Sequence, residues 1–342
     1  MNHNGADLMS NSEEKVADAL EQSWVYRLVP SRLWPFAQLA RWERPIGWWL
    51  LMWPGWWAIM LAMLAKLQTT PTDAQNFAQV LSETAVLLLL FMIGAIVMRG
   101  AGCTYNDLAD RDIDDKVART RSRPLPSGRV TTRQAVVFMA LQSLIGLIIL
   151  LQFNAFSIWL GVASLITVVV YPFMKRITWW PQLFLGFAFS WGALLGWSVV
   201  AGSLSLPPIL LYLAAIAWVI GYDTIYAHQD KEDDALVGVK STARLFGDKS
   251  KTAIFILYAI AITLMAMAFF IALATQSGAY AEMIYTLPAF LGLAVGAIHM
   301  LWQLKMIDIN NPDQCLRLFQ SNSHFGWILF AGLTGSLLLK LI

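Results

Sequence analysis

Two stretches of this 342-residue chain carry residue types suited to metal and phosphate chemistry. NDLADRDIDD, Asn106 to Asp115, packs five carboxylates into ten residues: Asp107, Asp110, Asp112, Asp114 and Asp115. YDTIYAHQDKEDD, Tyr222 to Asp234, adds Asp223, Asp230, Glu232, Asp233 and Asp234. Together they hold ten of the chain's 22 acidic residues. Asp107, Asp110 and Asp114 stand at i, i+3 and i+7, one face of a helix. Asp223, Asp230 and Asp234 stand at i, i+7 and i+11, again one face. Two such faces at one depth repel each other unless a cation lies between them. Oxygen-only ligation suits Mg²⁺, which is held by a few carboxylates plus substrate phosphates. Basic residues frame both clusters: Lys116, Arg119, Arg121, Arg123, Arg129 and Arg133 after the first, Lys231, Lys240 and Arg244 around the second. Acid for a metal beside Lys and Arg for phosphate oxygens is the constellation of a diphosphate site. A solvated loop accounts for the Arg run alone, but such a loop calls for no acid.

The elements that must position these residues are hydrophobic helices. The chain is 58% hydrophobic and only 13% charged, about half the charged share of a soluble domain. Apolar runs long enough to cross ~30 Å of hydrocarbon recur throughout. The pattern predicts nine spans, near 46–65, 82–103, 134–152, 157–174, 181–201, 207–227, 252–274, 285–304 and 324–341. Both acidic clusters then fall at the ends of even-numbered spans, the second and the sixth. With nine spans, only Lys66 and Lys340 of the 24 Lys and Arg fall on one side of the membrane. The excess of basic residues marks the other side as cytoplasmic. The expected fold class is therefore an all-α polytopic membrane protein. Its nine transmembrane helices surround a central cavity, with the N-terminus cytoplasmic and the C-terminus periplasmic. Residues 1–38 read as a polar tail, with Trp34 to Ala40 as an interfacial helix, and 39–342 as the nine-helix domain.

Other features exclude more than they assign. Cys103 and Cys315 lie far apart with no metal-ligand spacing, so neither a disulfide framework nor a zinc site is expected. Sixteen tryptophans fit an aromatic belt at the membrane interface. The net charge of +2 says little, because the distribution of charge matters more than its sum, and no nucleic-acid partner is expected. Met1 to Glu21 is polar and acidic, without a basic start and apolar core and without Arg-rich, acid-poor character. That favours a bacterial plasma membrane over an organelle.

A Mg²⁺–diphosphate site at a bilayer edge fits a lipid diphosphate, its tail among the helices and its headgroup at the carboxylates. The residues also carry a family resemblance. Asn-Asp-x-x-Asp-x-x-x-Asp at Asn106 to Asp114, and Asp-x-x-x-Asp at Asp230 to Asp234, resemble the two aspartate signatures of the UbiA superfamily of intramembrane prenyltransferases. RPIGWWLLMWP (Arg44 to Pro54), RTRSRPLPSG (Arg119 to Gly128) and GYDTIYAHQDKEDD with GVKSTA (to Ala243) resemble its 4-hydroxybenzoate polyprenyltransferases of ubiquinone synthesis. The likeness spans residues 40 to 342.

The resemblance implies roles. Asp107, Asp110, Asp114, Asp230 and Asp234 would hold Mg²⁺ against a polyprenyl diphosphate, with Asn106 in support. Lys175, Lys116, Arg123 and Lys240 would meet the diphosphate. The ring of Tyr171 would face the allyl cation, as cation–π attraction allows. Arg44 would take the carboxylate of 4-hydroxybenzoate, although Arg41, Glu43 and Arg44 also read as an interfacial anchor. Asp223 would complete the metal shell or handle the phenol proton, while His228 reads as a bystander. The product class implies association with other ubiquinone-synthesis enzymes. Haem farnesylation and menaquinone-type prenylation stay open within the superfamily. From other classes, an ion-coupled transporter would place its acid near the midplane. A phosphatidyltransferase would need an Asp-Gly-x-x-Ala-Arg opening, which is absent.

Overall fold

The computed structural model describes residues 23–69, 77–114, 120–236, 238–273 and 280–341. Residues 1–22, most of the expected tail, lie outside the described residues. Among the described residues nine helical segments are long and apolar enough to cross a membrane. They run Ile46–Gln68, Phe77–Arg111, Thr132–Leu150, Ala155–Ile177, Pro181–Ala201, Leu206–Ala227, Thr242–Leu273, Ile284–Met306 and Pro312–Leu341. The expected spans stand, each matched by one segment. The fifth breaks only at Trp191, whose φ and ψ stay helical. Helices dominate because a lipid-embedded backbone must satisfy its own polar groups.

The chain divides into two compact units. The first comprises Met1–Trp48 and Ile96–Ile148. Its short helices Trp24–Leu28 and Trp34–Leu39 precede the first span. Trp34, Ala37, Gln38 and Leu39 are buried. The expected interfacial helix is thus a packed element, because its apolar face has a protein partner: Leu39 joins Leu125, Val130 and Ala135 in one small core. Trp34 joins Val25 and Ala37 in another.

The second unit comprises Trp49–Ala95 and Ile149–Ile342. Here the sixth span packs along the seventh and against the fifth, and the eighth packs along the ninth. Small residues permit the closest approach: a Cβ at Gly196 would run into the carbonyl oxygen of Gly55. The expected aromatic belt needs correction. Trp53, Trp57 and Trp218 are fully buried. Trp57 lies 5.1 Å from Trp218 between ring centroids, and their indole N–H groups donate to Gly326 O and to Asn322 Oδ1. A buried indole needs such an acceptor, so these rings are core. Trp159, at 74% exposure, is among those left to the periphery.

Candidate active site

The first cluster rides on an unusually long helix. Phe77–Asp114 has 38 residues, about 57 Å at ~1.5 Å per residue. That exceeds the ~30 Å hydrocarbon core, so its last turns leave the apolar layer. The helix reaches Asp114, so Asp107, Asp110 and Asp114 do share one face, as the spacing predicts. Asp107 and Asp110 are 2% and 3% exposed. Their carboxylates are buried at the end of the helix whose apolar body crosses the membrane.

Burial makes a carboxylate costly unless cations and hydrogen bonds answer it. Arg41 does so for Asp107: its Nη2 donates to both carboxylate oxygens, at 2.7 and 3.0 Å. Arg123 adds a second guanidinium, Nη1 to Oδ1 at 3.5 Å. Arg123 is placed by the compact turns of 120–130. Its backbone N–H donates to Thr120 O, its carbonyl accepts from Ser127, and Leu125 and Val130 anchor the segment in the core. Arg44 lies by another carboxylate. Its Nε lies 3.5 Å from Glu43 Oε1, and Glu43 is itself buried. One residue before Asp107 in the chain, the buried Asn106 Oδ1 has no hydrogen-bond partner among the described residues. A buried acceptor left open is a place for a ligand's donor or a hydrated cation.

The second cluster is built differently from expectation. The sixth span ends at Ala227, residues 228–230 form a turn, and a new helix covers Lys231–Leu236. Asp223, Asp230 and Asp234 therefore sit on three successive elements, not on one helix face. Tertiary contacts explain the break. Thr224 Oγ1 lies 2.7 Å from Thr242 Oγ1, and His228 Nε2 lies 2.9 Å from Ser250 Oγ. The Ser250 hydroxyl donates to Gly247 O, so His228 Nε2 is the donor in that pair. Burial, reinforced by Lys231, lowers the His228 pKa to about 4. The ring is neutral at pH 7, and its buried Nδ1 has no partner among the described residues.

The segment after this cluster docks onto the fourth and fifth spans. Lys240 N–H donates to Lys175 O at 3.0 Å, and Thr242 N–H donates to Gln182 Oε1 at 3.0 Å. Lys240 Nζ donates to Ile177 O at 3.0 Å and lies 5.9 Å over the Trp179 ring, with Arg244 at 5.3 Å from the same ring. Tyr171 and Lys175 are four residues apart near the end of Ala155–Ile177, hence on one face.

Within each unit the structure brings some expected residues together. Asp107 and Arg123 meet in the first; Lys175 and Lys240 meet in the second. Lys116 and the side chains of Asp112, Asp114, Asp115, Asp233 and Asp234 lie outside the described residues. Among the described residues no three His, Cys, Asp or Glu converge as a metal cluster. Sequence reading assigned no site role to Arg41. Its signal was present, a cation three residues before Arg44, but spacing cannot tell which arginine turns inward. The donor set is hard oxygen throughout, with an open buried amide oxygen, and that chemistry fits Mg²⁺.

The comparisons agree with this architecture. The model of the UbiA prenyltransferase family matches residues 51–329. A mitochondrial 4-hydroxybenzoate polyprenyltransferase of Drosophila melanogaster is 43% identical over 98% of this chain and 79% of its own length. The Arabidopsis thaliana enzyme of that name is 44% identical over 91% of this chain and 71% of its own. Among solved structures, the apo form of a UbiA homolog from Aeropyrum pernix K1 is 25% identical with a TM-score of 0.63, covering 85% of this chain and 98% of that one. A homolog from Archaeoglobus fulgidus, described as bound to GPP and Mg²⁺, shares the fold at 19% identity and a TM-score of 0.58, covering 88% and 99%. An enzyme of this kind leaves no room for the transporter or the phosphatidyltransferase. The chain belongs to the UbiA prenyltransferase family, and it is a multi-pass, all-α membrane transferase.

Proposed function

We propose that the enzyme transfers a polyprenyl group from polyprenyl diphosphate to the ring carbon ortho to the hydroxyl of 4-hydroxybenzoate, a step of ubiquinone synthesis, with Mg²⁺ as cofactor. The acceptor follows the names of the relatives, which share over 40% of residues with this chain. The observation that carries the metal–diphosphate half is the buried Asp107 carboxylate, met by the guanidiniums of Arg41 and Arg123.

In this reading Asp107, Asp110 and Asp114, with Asp230 and Asp234, hold the metal, and Asn106 supports the first group. Mg²⁺ held there would neutralise the charge that grows on a leaving diphosphate. Lys175, Arg123, Lys116 and Lys240 bind its oxygens. The C–O bond breaks, diphosphate leaves with the electron pair, and the Tyr171 ring faces the allylic cation. Arg44 fixes the benzoate carboxylate. The ring carbon attacks, the new carbon–carbon bond forms, and the ring proton departs with Asp223 as acceptor or as support for the phenol. The hydrophobic helices exclude water that would capture the cation. Membrane residence is established; a bacterial plasma membrane is our reading of the compartment, whereas the two relatives above are named mitochondrial. Fractionation of the source cell decides it.

The test uses membranes containing the protein, radiolabelled 4-hydroxybenzoate and a long-chain prenyl diphosphate. Product is expected with Mg²⁺ and is lost with chelator, with Asp107→Ala and with Asp230→Ala. Activity with a different aromatic acceptor only would move the substrate and keep the mechanism. Full activity of both variants would remove these carboxylates from the site.

A further inference from the structure

We propose that Arg41 is a built-in counter-ion for the first metal-binding aspartate. Its guanidinium neutralises Asp107 until a divalent cation takes that place, so that the two cations compete. This rests on the reading above that Asp107 is a metal ligand, and it adds both a residue and the sign of its effect.

The geometry is specific. Nη2 of Arg41 straddles the Asp107 carboxylate, 2.7 Å from one oxygen and 3.0 Å from the other. Nη1 is tethered to Gln38 O at 2.6 Å. A Mg²⁺ ion needs an oxygen lone pair at ~2.1 Å. One guanidinium nitrogen shared between both oxygens crowds that approach, and the two cations on one carboxylate repel. Arg123 stands farther off, at 3.5 Å from a single oxygen, and crowds it less.

The backbone is bent to make the contact. Arg41 has φ +56, and it is the one non-glycine residue with positive φ among the described residues. That region costs of order 1 kcal/mol or more for a side chain that gains nothing there. The turn around it is pinned by Trp42 N–H to Ala37 O at 2.9 Å and Arg44 N–H to Arg41 O at 3.1 Å. The fold thus holds Arg41 against Asp107 at a cost in backbone strain. The Arg41 side chain keeps 14% exposure against 3% for Asp107, so the guanidinium is the more accessible partner of the pair.

The test is binding, not turnover. Full-length protein in detergent is titrated with Mn²⁺ by electron paramagnetic resonance, with inorganic pyrophosphate present and no prenyl substrate. Thermal unfolding is followed in parallel with EDTA and with Mg²⁺. The variants are Arg41→Met, Arg41→Lys and Asp107→Asn, with Arg41→Gln as a milder neutral change should Arg41→Met fail to fold. Arg41→Met is expected to bind Mn²⁺ about fivefold or more tightly, the scale of a typical coupling between sites. Its loss of Tm is larger in EDTA than in Mg²⁺, because the metal substitutes for the missing charge. Arg41→Lys, which keeps a cation, falls near the wild type in both readouts. Equal Tm losses in the two media with unchanged Mn²⁺ affinity would make Arg41 merely structural and overturn the proposal. Weaker Mn²⁺ binding in Arg41→Met would overturn it too, by making Arg41 a helper of the metal. If Asp107→Asn binds Mn²⁺ as well as the wild type, Asp107 is no ligand, and the functional reading fails along with the inference. If Asp107→Asn binds weakly while Arg41→Met matches the wild type, only the inference fails.

Discussion

Side chains that look interchangeable in the sequence do different work here. Arg41 and Arg44 are three residues apart, yet one clasps Asp107 and the other lies against Glu43. Lys240 is similarly divided. It is a diphosphate candidate, but its ammonium already donates to Ile177 O and lies over Trp179. An ammonium has three donors, so both roles are open to it. Two substitutions separate them. Trp179→Ala removes the aromatic platform under Lys240 and Arg244, at about 0.5–1 kcal/mol for each cation. It should lower Tm and leave the KM for prenyl diphosphate nearly unchanged. Lys240→Met removes the charge as well, and should raise that KM about tenfold, as expected for a lost hydrogen bond to a charged group. Equal, small kinetic effects of the two variants would make Lys240 purely a docking residue. Steady-state kinetics beside thermal unfolding gives the answer.

Among the elements, the fifth and first spans meet through glycine, and there the packing has no slack. Gly196→Val would drive a side chain into the Gly55 backbone, and overpacking of this kind costs about 1–3 kcal/mol. Gly94, inside Phe77–Asp114, has nothing within 4 Å of the corresponding position. Gly94→Ala should therefore be neutral or slightly stabilising. Thermal unfolding in detergent should rank Gly196→Val well below both the wild type and Gly94→Ala; equal Tm values would mean that this helix contact yields freely. The same elements show what the sequence made legible. Apolar runs and the side-to-side bias of Lys and Arg marked nine spans, because hydrocarbon imposes a length and a charge rule. The acidic face of Asp107, Asp110 and Asp114 was legible because its helix runs on unbroken. The break after Ala227 was not, since AHQDKEDD holds no glycine or proline. Bonds from Thr224 and His228 to residues far along the chain accompany it. Buried Trp53 and Trp218 were unreadable for another reason. Lipid is as apolar as a protein core, so a span carries little contrast between its two faces.

For the molecule as a whole, the question is whether the metal serves the fold or only the chemistry. The nine spans satisfy their backbone polar groups internally. Side chains such as Ile166, Phe270 and Ile298 are left exposed on these spans, where lipid can cover them. None of this requires a divalent cation. The acidic clusters are what metal removal would unsettle, and in the first of them Arg41 and Arg123 already oppose the charge of Asp107. Chelation should therefore stop prenyl transfer while leaving the helical circular dichroism at 222 nm, a standard wavelength for helix, unchanged at 25 °C. Restored Mg²⁺ should return the activity without a refolding lag. A structural metal behaves otherwise, because its binding energy is folding energy and its removal unfolds the chain. Helix loss in chelator would place this protein in that class, and would mean that the guanidiniums cannot hold the carboxylates alone. Intact helices with silent activity would mean that the helices stand without the metal, Asp107 being opposed by arginine, and that the metal is needed for chemistry alone.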